Sequence, residues 1–137
     1  MTNRVQNSAC RRFFCALALI ALVMLAALPA AARDISVQDA AELLKNPPQG
    51  LIIVDVRTPA EFRDGHLPGA VNIDYFGGPF ETQIAALPRD VPVLLYCRTG
   101  NRSAGAYTSM QQVGIGNILH MNEGISVWQQ RGLPMEK

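Results

Sequence analysis

The sequence predicts an α/β domain with a mainly parallel sheet. Short apolar, β-branched runs recur at 51–56, 71–73, 91–96 and 117–121, and each is followed by a segment whose apolar residues have helical spacing. The two longest runs, Leu51-Ile52-Ile53-Val54-Asp55-Val56 and Val91 to Tyr96, are apolar at consecutive positions rather than alternating. That is the pattern of strands buried on both faces, which in a domain of alternating strands and helices means a parallel sheet covered by helices.

The first thirty-two residues stand apart from this pattern. Arg4, Arg11 and Arg12 precede an uncharged apolar stretch over 13–28, then Pro29 and Ala30-Ala31-Ala32. A basic start, an apolar centre and an Ala-x-Ala end together predict a secretory signal peptide over 1–32, cleaved after Ala32, and a mature domain over 33–137. An uncleaved anchor is the alternative, but the apolar stretch is shorter than the ~20 residues a spanning helix needs. Arg11-Arg12 with Phe14 is only a weak match to a twin-arginine signal. The expected location is the periplasm, with no stable membrane anchor after cleavage.

Cleavage changes what the composition implies. Of twelve Lys and Arg residues three lie in the leader, while all eleven Asp and Glu lie in 33–137. Nine basic against eleven acidic residues leave a formal charge of about −2 and no basic patch, which excludes electrostatic support for nucleic-acid binding. Cys10 and Cys15 leave with the leader, so Cys97 is the mature domain's single thiol. In an oxidising compartment a lone cysteine cannot staple a fold; it is an inert buried residue, an intermolecular partner or a reactive nucleophile.

The elements follow in order. Ile35 and Val37 form a short strand or extended lead-in, and Ala40, Ala41, Leu43 and Leu44 lie on one helical face with Ser36 or Asp39 as caps. Asn46-Pro47-Pro48-Gln49-Gly50 ends that helix before the strand at 51–56. Thr58-Pro59-Ala60-Glu61 has a hydroxyl cap, a first-turn proline and an acid, and opens a helix to about Asp64. Gly65 to Ala70 is a connector, followed by the strand at 71–73. Past Gly77-Gly78-Pro79, the residues Phe80, Ile84 and Leu87 line another helix, which Pro88 closes. The strand ending at Tyr96 leads into a loop and a helix carrying Ala104, Tyr107, Met110 and Val113. The strand at 117–121 and a helix over 124–130 complete the chain.

Tyr96-Cys97-Arg98-Thr99-Gly100-Asn101-Arg102-Ser103 is the candidate site. A cysteine at a strand end, followed by a tight loop and a helix start, meets converging backbone N–H groups and the positive end of the helix dipole. Such a place favours a thiolate or a bound oxyanion. Gly100 is expected at positive φ, and Asn101 is a second candidate for that geometry. Asp55 and Arg57 end another strand and are expected to pair as a brace for the cysteine loop. Whether the two strand ends are adjacent cannot be derived from periodicity.

Four segments, in order, resemble a known family. They are Leu51 to Arg57; Glu61-Phe62 with Gly65-His66-Leu67-Pro68-Gly69-Ala70-Val71-Asn72-Ile73; the Tyr96-Cys97 loop; and Gly124-Ile125-Ser126-Val127-Trp128 with Gly132-Leu133-Pro134. Over Asp34 to Lys137 the chain resembles the single-domain rhodaneses, thiosulfate sulfurtransferases, and its small size and export signal are similar to the periplasmic phage-shock-protein-E type. The resemblance implies a rhodanese-like, five-stranded parallel sheet with helices on both faces, Cys97 as the catalytic nucleophile, and Arg98, Thr99, Gly100, Asn101, Arg102 and Ser103 as the substrate cradle. It implies thiosulfate as donor, cyanide or a thiol as acceptor, and no cofactor or metal. The guanidiniums of Arg98 and Arg102 are expected to lower the thiol's pKa along with the loop's N–H groups.

Two other readings share this fold. One is a persulfide carrier that serves a protein partner with little small-molecule turnover. The other is a cysteine-dependent phosphatase or arsenate reductase, but such phosphatases use a Cys-x5-Arg loop, whereas Cys97 and Arg102 form Cys-x4-Arg. His66 is expected to be structural, His120 has no second ligand at metal spacing, and Trp128 is expected to plug the core.

Overall fold

The computed structural model describes residues 33–137; the leader expected over 1–32 lies outside the described residues. The chain runs β1 (Arg33–Ile35), α1 (Val37–Lys45), β2 (Ile52–Asp55), α2 (Pro59–Asp64), β3 (Val71–Asn72), α3 (Phe80–Ala85), β4 (Val93–Tyr96), α4 (Asn101–Gln112), β5 (Ile118–Met121) and α5 (Gly124–Gln130). The strands form one five-stranded sheet in the order β1-β5-β4-β2-β3, and every pairing is parallel. The α/β class and the parallel sheet are as expected.

Strand β4 shows why its sequence is apolar throughout. All four of its residues have no solvent exposure. Successive side chains point to opposite faces. Val93, Leu95 and then Cys97 pack with Phe80, Ile84, Ala106 and Met110 beneath α3 and α4. Leu94 and Tyr96 pack with Val37, Ala40, Ile125 and Trp128 beneath α1 and α5. Each such aliphatic side chain contributes about 1.5–3 kcal/mol through burial, so β4 is the spine on which the loop beyond it is mounted.

The helix starts follow the local chemistry. Ser36 and Asp39 form a reciprocal capping box at α1, and Thr58 and Glu61 form one at α2, with Pro59 as the first helical residue. Helix α3 ends at Ala85, before Leu87, which packs against the core outside the helix. The proline at position 88 disfavours helical geometry at the residue before it. Trp128 is 2% exposed and its Nε1–H donates to the Pro134 carbonyl at 2.9 Å, so it fills the core as expected. His66 stacks on Phe62, with centroids 3.7 Å apart, and pairs through its backbone with Glu136. That is a structural role.

Strands β2 and β4 are neighbours, with Asp55 in register with Tyr96. Their carboxyl ends therefore lie side by side, which answers the adjacency that periodicity left open. Ligands of open parallel sheets bind beyond such ends. No helix among the described residues is long and apolar enough to cross a membrane.

Candidate active site

Beyond Tyr96 the chain turns over its own cysteine. Gly100 adopts φ +94° as the residue before α4, and its N–H donates to the Cys97 Sγ at 3.1 Å. The amides of Thr99 and Ser103 also face the sulfur, and the Ser103 hydroxyl lies 3.3 Å from it. Burial acts to raise the Cys97 pKa, but these donors outweigh it and hold the thiol below its ordinary value, the Ser103 hydroxyl most strongly. The sulfur is at the floor of the cradle, with the residue only 1% exposed. From outside, α5 grips the loop: the Ile125 and Ser126 amides donate to the Cys97 and Arg98 carbonyls at 2.9 and 3.1 Å.

The two arginines of the loop differ. Arg102 makes a two-pronged pair with Glu61, with Nη1 to Oε2 at 2.7 Å and Nη2 to Oε1 at 2.8 Å. Its guanidinium is thus occupied, a departure from the expectation that it acts on the sulfur. The donors just described carry the thiol's shift, and the sulfur is a minor influence on Arg102 beside Glu61. Arg98 is exposed and, among the described residues, pairs with no carboxylate. Thr99 is exposed, Ser103 is fully buried, and Asn101 is the first residue of α4, so Gly100 alone supplies the positive φ in this turn.

The Arg102 hydrogen bonds, with those of the Thr58 cap, hold the Glu61 carboxyl at about 2, below its ordinary 4.5. A depressed carboxylate stabilises the fold fully above the unfolded value and loses that contribution as pH falls through the folded one. In urea unfolding, the native protein is therefore expected to lose its advantage over Glu61→Gln between about pH 4.5 and pH 2. The size is about 1 kcal/mol after allowance for solvent screening.

Asp55 and Arg57 do pair, and both are buried, at 0% and 5% exposure. Arg57 Nη2 reaches Asp55 Oδ2 at 2.6 Å and the Gly65 carbonyl at 2.7 Å, while Nε lies 3.0 Å from both carboxylate oxygens. The Asn72 side chain donates to the Asp55 and Arg57 carbonyls, which ties β3 to the same corner. Arg57, Glu61, Asp64, Gly65, Arg98, Ile125 and Gln129 line a polar cleft of about 200 Å³ at this corner. A larger, mostly apolar groove of about 540 Å³ lies against α1 and α5, away from the cysteine face, with Lys45 the charged residue of its lining.

Two residues near the cysteine were not expected at the site. His120 on β5 places Nε2 2.8 Å from the Ser103 hydroxyl and Nδ1 2.7 Å from Asp34 Oδ1. Asp34 and His120 are register partners of the parallel β1–β5 pair. The pairing spans 86 residues, and no local spacing signals it.

The rhodanese-like domain model matches residues 36–131. The chain belongs to the rhodanese-like family. It is 36% identical over 87 residues to a sulfurtransferase of Allochromatium vinosum, covering 64% of this chain and 79% of that one. It is 30% identical over 95 residues to the thiosulfate sulfurtransferase GlpE of Tolumonas auensis, covering 69% and 86%. In the probable adenylyltransferase/sulfurtransferase MoeZ of Mycobacterium tuberculosis the matching segment is only 21% of the relative's length. The crystal structure of a rhodanese-related protein from Thermoplasma volcanium superposes with a TM-score of 0.66 at 31% identity, covering 76% of this chain and 97% of that one.

Proposed function

We propose that this rhodanese-like protein is an exported thiosulfate:acceptor sulfurtransferase, of the periplasmic phage-shock-protein-E type, with Cys97 as the sulfur carrier. The observation that carries the reading is the ring of amides and the Ser103 hydroxyl around a single buried sulfur, which favours the ionised thiol. The thiolate attacks the outer sulfur of thiosulfate, a new S–S bond forms, and the bond to the sulfonate group breaks with its electron pair, so sulfite leaves. The terminal sulfur of the Cys97 persulfide then passes to cyanide, giving thiocyanate, or to a thiol, and the thiolate is restored. Two half-reactions on one nucleophile predict ping-pong kinetics.

With Arg57 and Arg102 neutralised by Asp55 and Glu61, Arg98 is, among the described residues of the site, the uncommitted cation for the sulfonate end. The same pairing weighs against the phosphatase reading. The one arginine at the far end of the loop is one residue too close to the cysteine, and it is held by Glu61 rather than free to clamp phosphate.

Purified protein incubated with thiosulfate is expected to release one sulfite per chain and to gain the mass of one sulfur atom on the Cys97 peptide. Cyanide is expected to remove that mass. Absence of both sulfite and adduct would overturn the sulfurtransferase reading; an adduct resistant to cyanide and small thiols would favour the carrier module. Turnover of an aryl phosphate, lost in Cys97→Ser, would favour the phosphatase. Export is tested by cell fractionation and N-terminal sequencing, with Arg33 the expected first residue and cytoplasmic retention the contrary result.

A further inference from the structure

Ser103 has one proton and three acceptors around it. Its Oγ is 2.8 Å from His120 Nε2, 3.0 Å from the Gly100 carbonyl and 3.3 Å from the Cys97 Sγ. The other end of the imidazole decides where that proton goes. Nδ1 faces the Asp34 carboxylate at 2.7 Å, and Asp34 is a surface side chain, 63% exposed, so the nitrogen must carry the hydrogen. Neutral His120 then presents a bare Nε2 to Ser103, and only a hydroxyl proton directed at it avoids two lone pairs meeting. With its proton so engaged, Ser103 offers the Cys97 thiol an acceptor. The four groups form one continuous path from the buried sulfur, across α4 and β5, to the surface at β1.

We propose that Ser103, His120 and Asp34 form a proton relay that ionises Cys97. The S–H bond breaks as its proton joins the Ser103 oxygen, while the Ser103 proton passes to His120 Nε2. Serine is unchanged, and the products are a thiolate and an imidazolium. In the ionised state the Ser103–Cys97 and Ser103–His120 hydrogen bonds are reversed in sense. Ser103 donates to the sulfur and accepts from Nε2–H, and Asp34 keeps its bond to Nδ1–H. No co-reactant is needed. Ser103 touches the reacting atom and is the catalytic member; His120 and Asp34 are positioning residues.

Apart from the exposed Arg98 beside the cysteine, the other charges near the path are already committed. Arg102 on α4 is paired with Glu61 of α2, and Glu123 beside α5 accepts from the Val37 amide at 2.6 Å. Tyr107 of α4 lies against the imidazole with centroids 5.8 Å apart. Among the described residues, His120 is therefore the group placed to receive the thiol's proton through Ser103. Ser103 is fully buried and His120 is 6% exposed, so solvent screens their coupling little; Asp34 at the surface is screened more.

The relay rests on the sulfur-transfer reading only for the use made of the thiolate, and its test needs no sulfur donor. The pH dependence of Cys97 alkylation by iodoacetamide reports thiolate formation directly. Relative to the native protein, His120→Gln and Ser103→Ala are expected to raise the midpoint by about one pH unit, and Asp34→Asn by less. The ultraviolet absorbance of the thiolate in the same variants is a second readout, and its pH midpoint is expected to move with the alkylation midpoint. Equal alkylation midpoints in native protein and folded His120→Gln would overturn the relay. So would an unmoved midpoint in Asp34→Asn, a surface variant that tests the relay even if the His120 variant fails to fold. Neither result would touch the sulfite and persulfide assay, so the two readings fail separately.

Discussion

Gly100→Ala is expected to lower sulfur transfer by about a hundredfold or more while leaving a folded domain. Two independent obstacles meet at that position. The residue holds φ +94°, where an L side chain is strained, and a Cβ there would overlap the backbone carbonyl of Asn122, just past β5. Neither obstacle can be relieved by turning a side chain. The loop must shift, and the Gly100 amide, 3.1 Å from the sulfur, must shift with it. A displacement of about 1 Å in a catalytic cradle is worth roughly 10² in rate. The thiol is also expected to become harder to ionise, which the iodoacetamide pH profile measures alongside sulfite release. Gly132→Ala is the control. It sits at φ +65° with no atom near the added methyl, and it lies past α5 away from the cysteine, so it is expected to cost about 1 kcal/mol and to leave activity intact. Native activity in Gly100→Ala would mean that the amide ring is not what activates Cys97.

The contrast between those glycines shows which parts of the molecule local sequence carries. A positive φ at Gly100 was expectable because a strand end, two polar residues and a helix start leave room only for a sharp turn. Strands β2 and β4 were expectable because burial on both faces removes the polar alternation that a surface strand would show. Capping boxes at Ser36 and Thr58 were likewise local, since three residues contain the whole interaction. What local pattern lacks is partnership across the sheet. Glu61 is a helix cap by spacing, but the fold also makes it the partner of Arg102, 41 residues away. That removes Arg102 from the expected pair of cations on the sulfur and leaves Arg98. Asp34 and His120 acquire their relation from the β1–β5 pairing alone. An exposed thiolate would be prone to oxidation. The 1% exposure of Cys97 instead limits which oxidants reach it.

Asp55→Ala is expected to destabilise the domain by about 3–5 kcal/mol, a large share of the roughly 5–15 kcal/mol typical of such folds. The carboxylate is fully buried and takes the Arg57 amide at 2.9 Å as well as the guanidinium. Burial is the largest single influence and acts to lower the Arg57 pKa, but the hydrogen bonds and charge of Asp55, with smaller contributions from Tyr96 and Glu61, together more than reverse it. Without Asp55 the guanidinium keeps only the Gly65 carbonyl and the face of Tyr96, whose centroid lies 5.9 Å away. A buried cation with so little compensation is what makes loss of one partner costly. Loss of both is a different case. Asp55→Ala with Arg57→Met removes the uncompensated charge and keeps an apolar chain over Tyr96, so the double variant is expected to be more stable than Asp55→Ala alone. The coupling, read from urea unfolding as a double-mutant cycle, is expected to be about 2–3 kcal/mol. Additive losses would show that the pair contributes by packing and not by charge. Activity separates the two roles further: if the pair only braces the corner between β2, β3 and β4, the folded double variant retains thiolate formation at Cys97 with an unshifted alkylation profile. A shifted profile would mean that the brace reaches the cysteine loop through Tyr96.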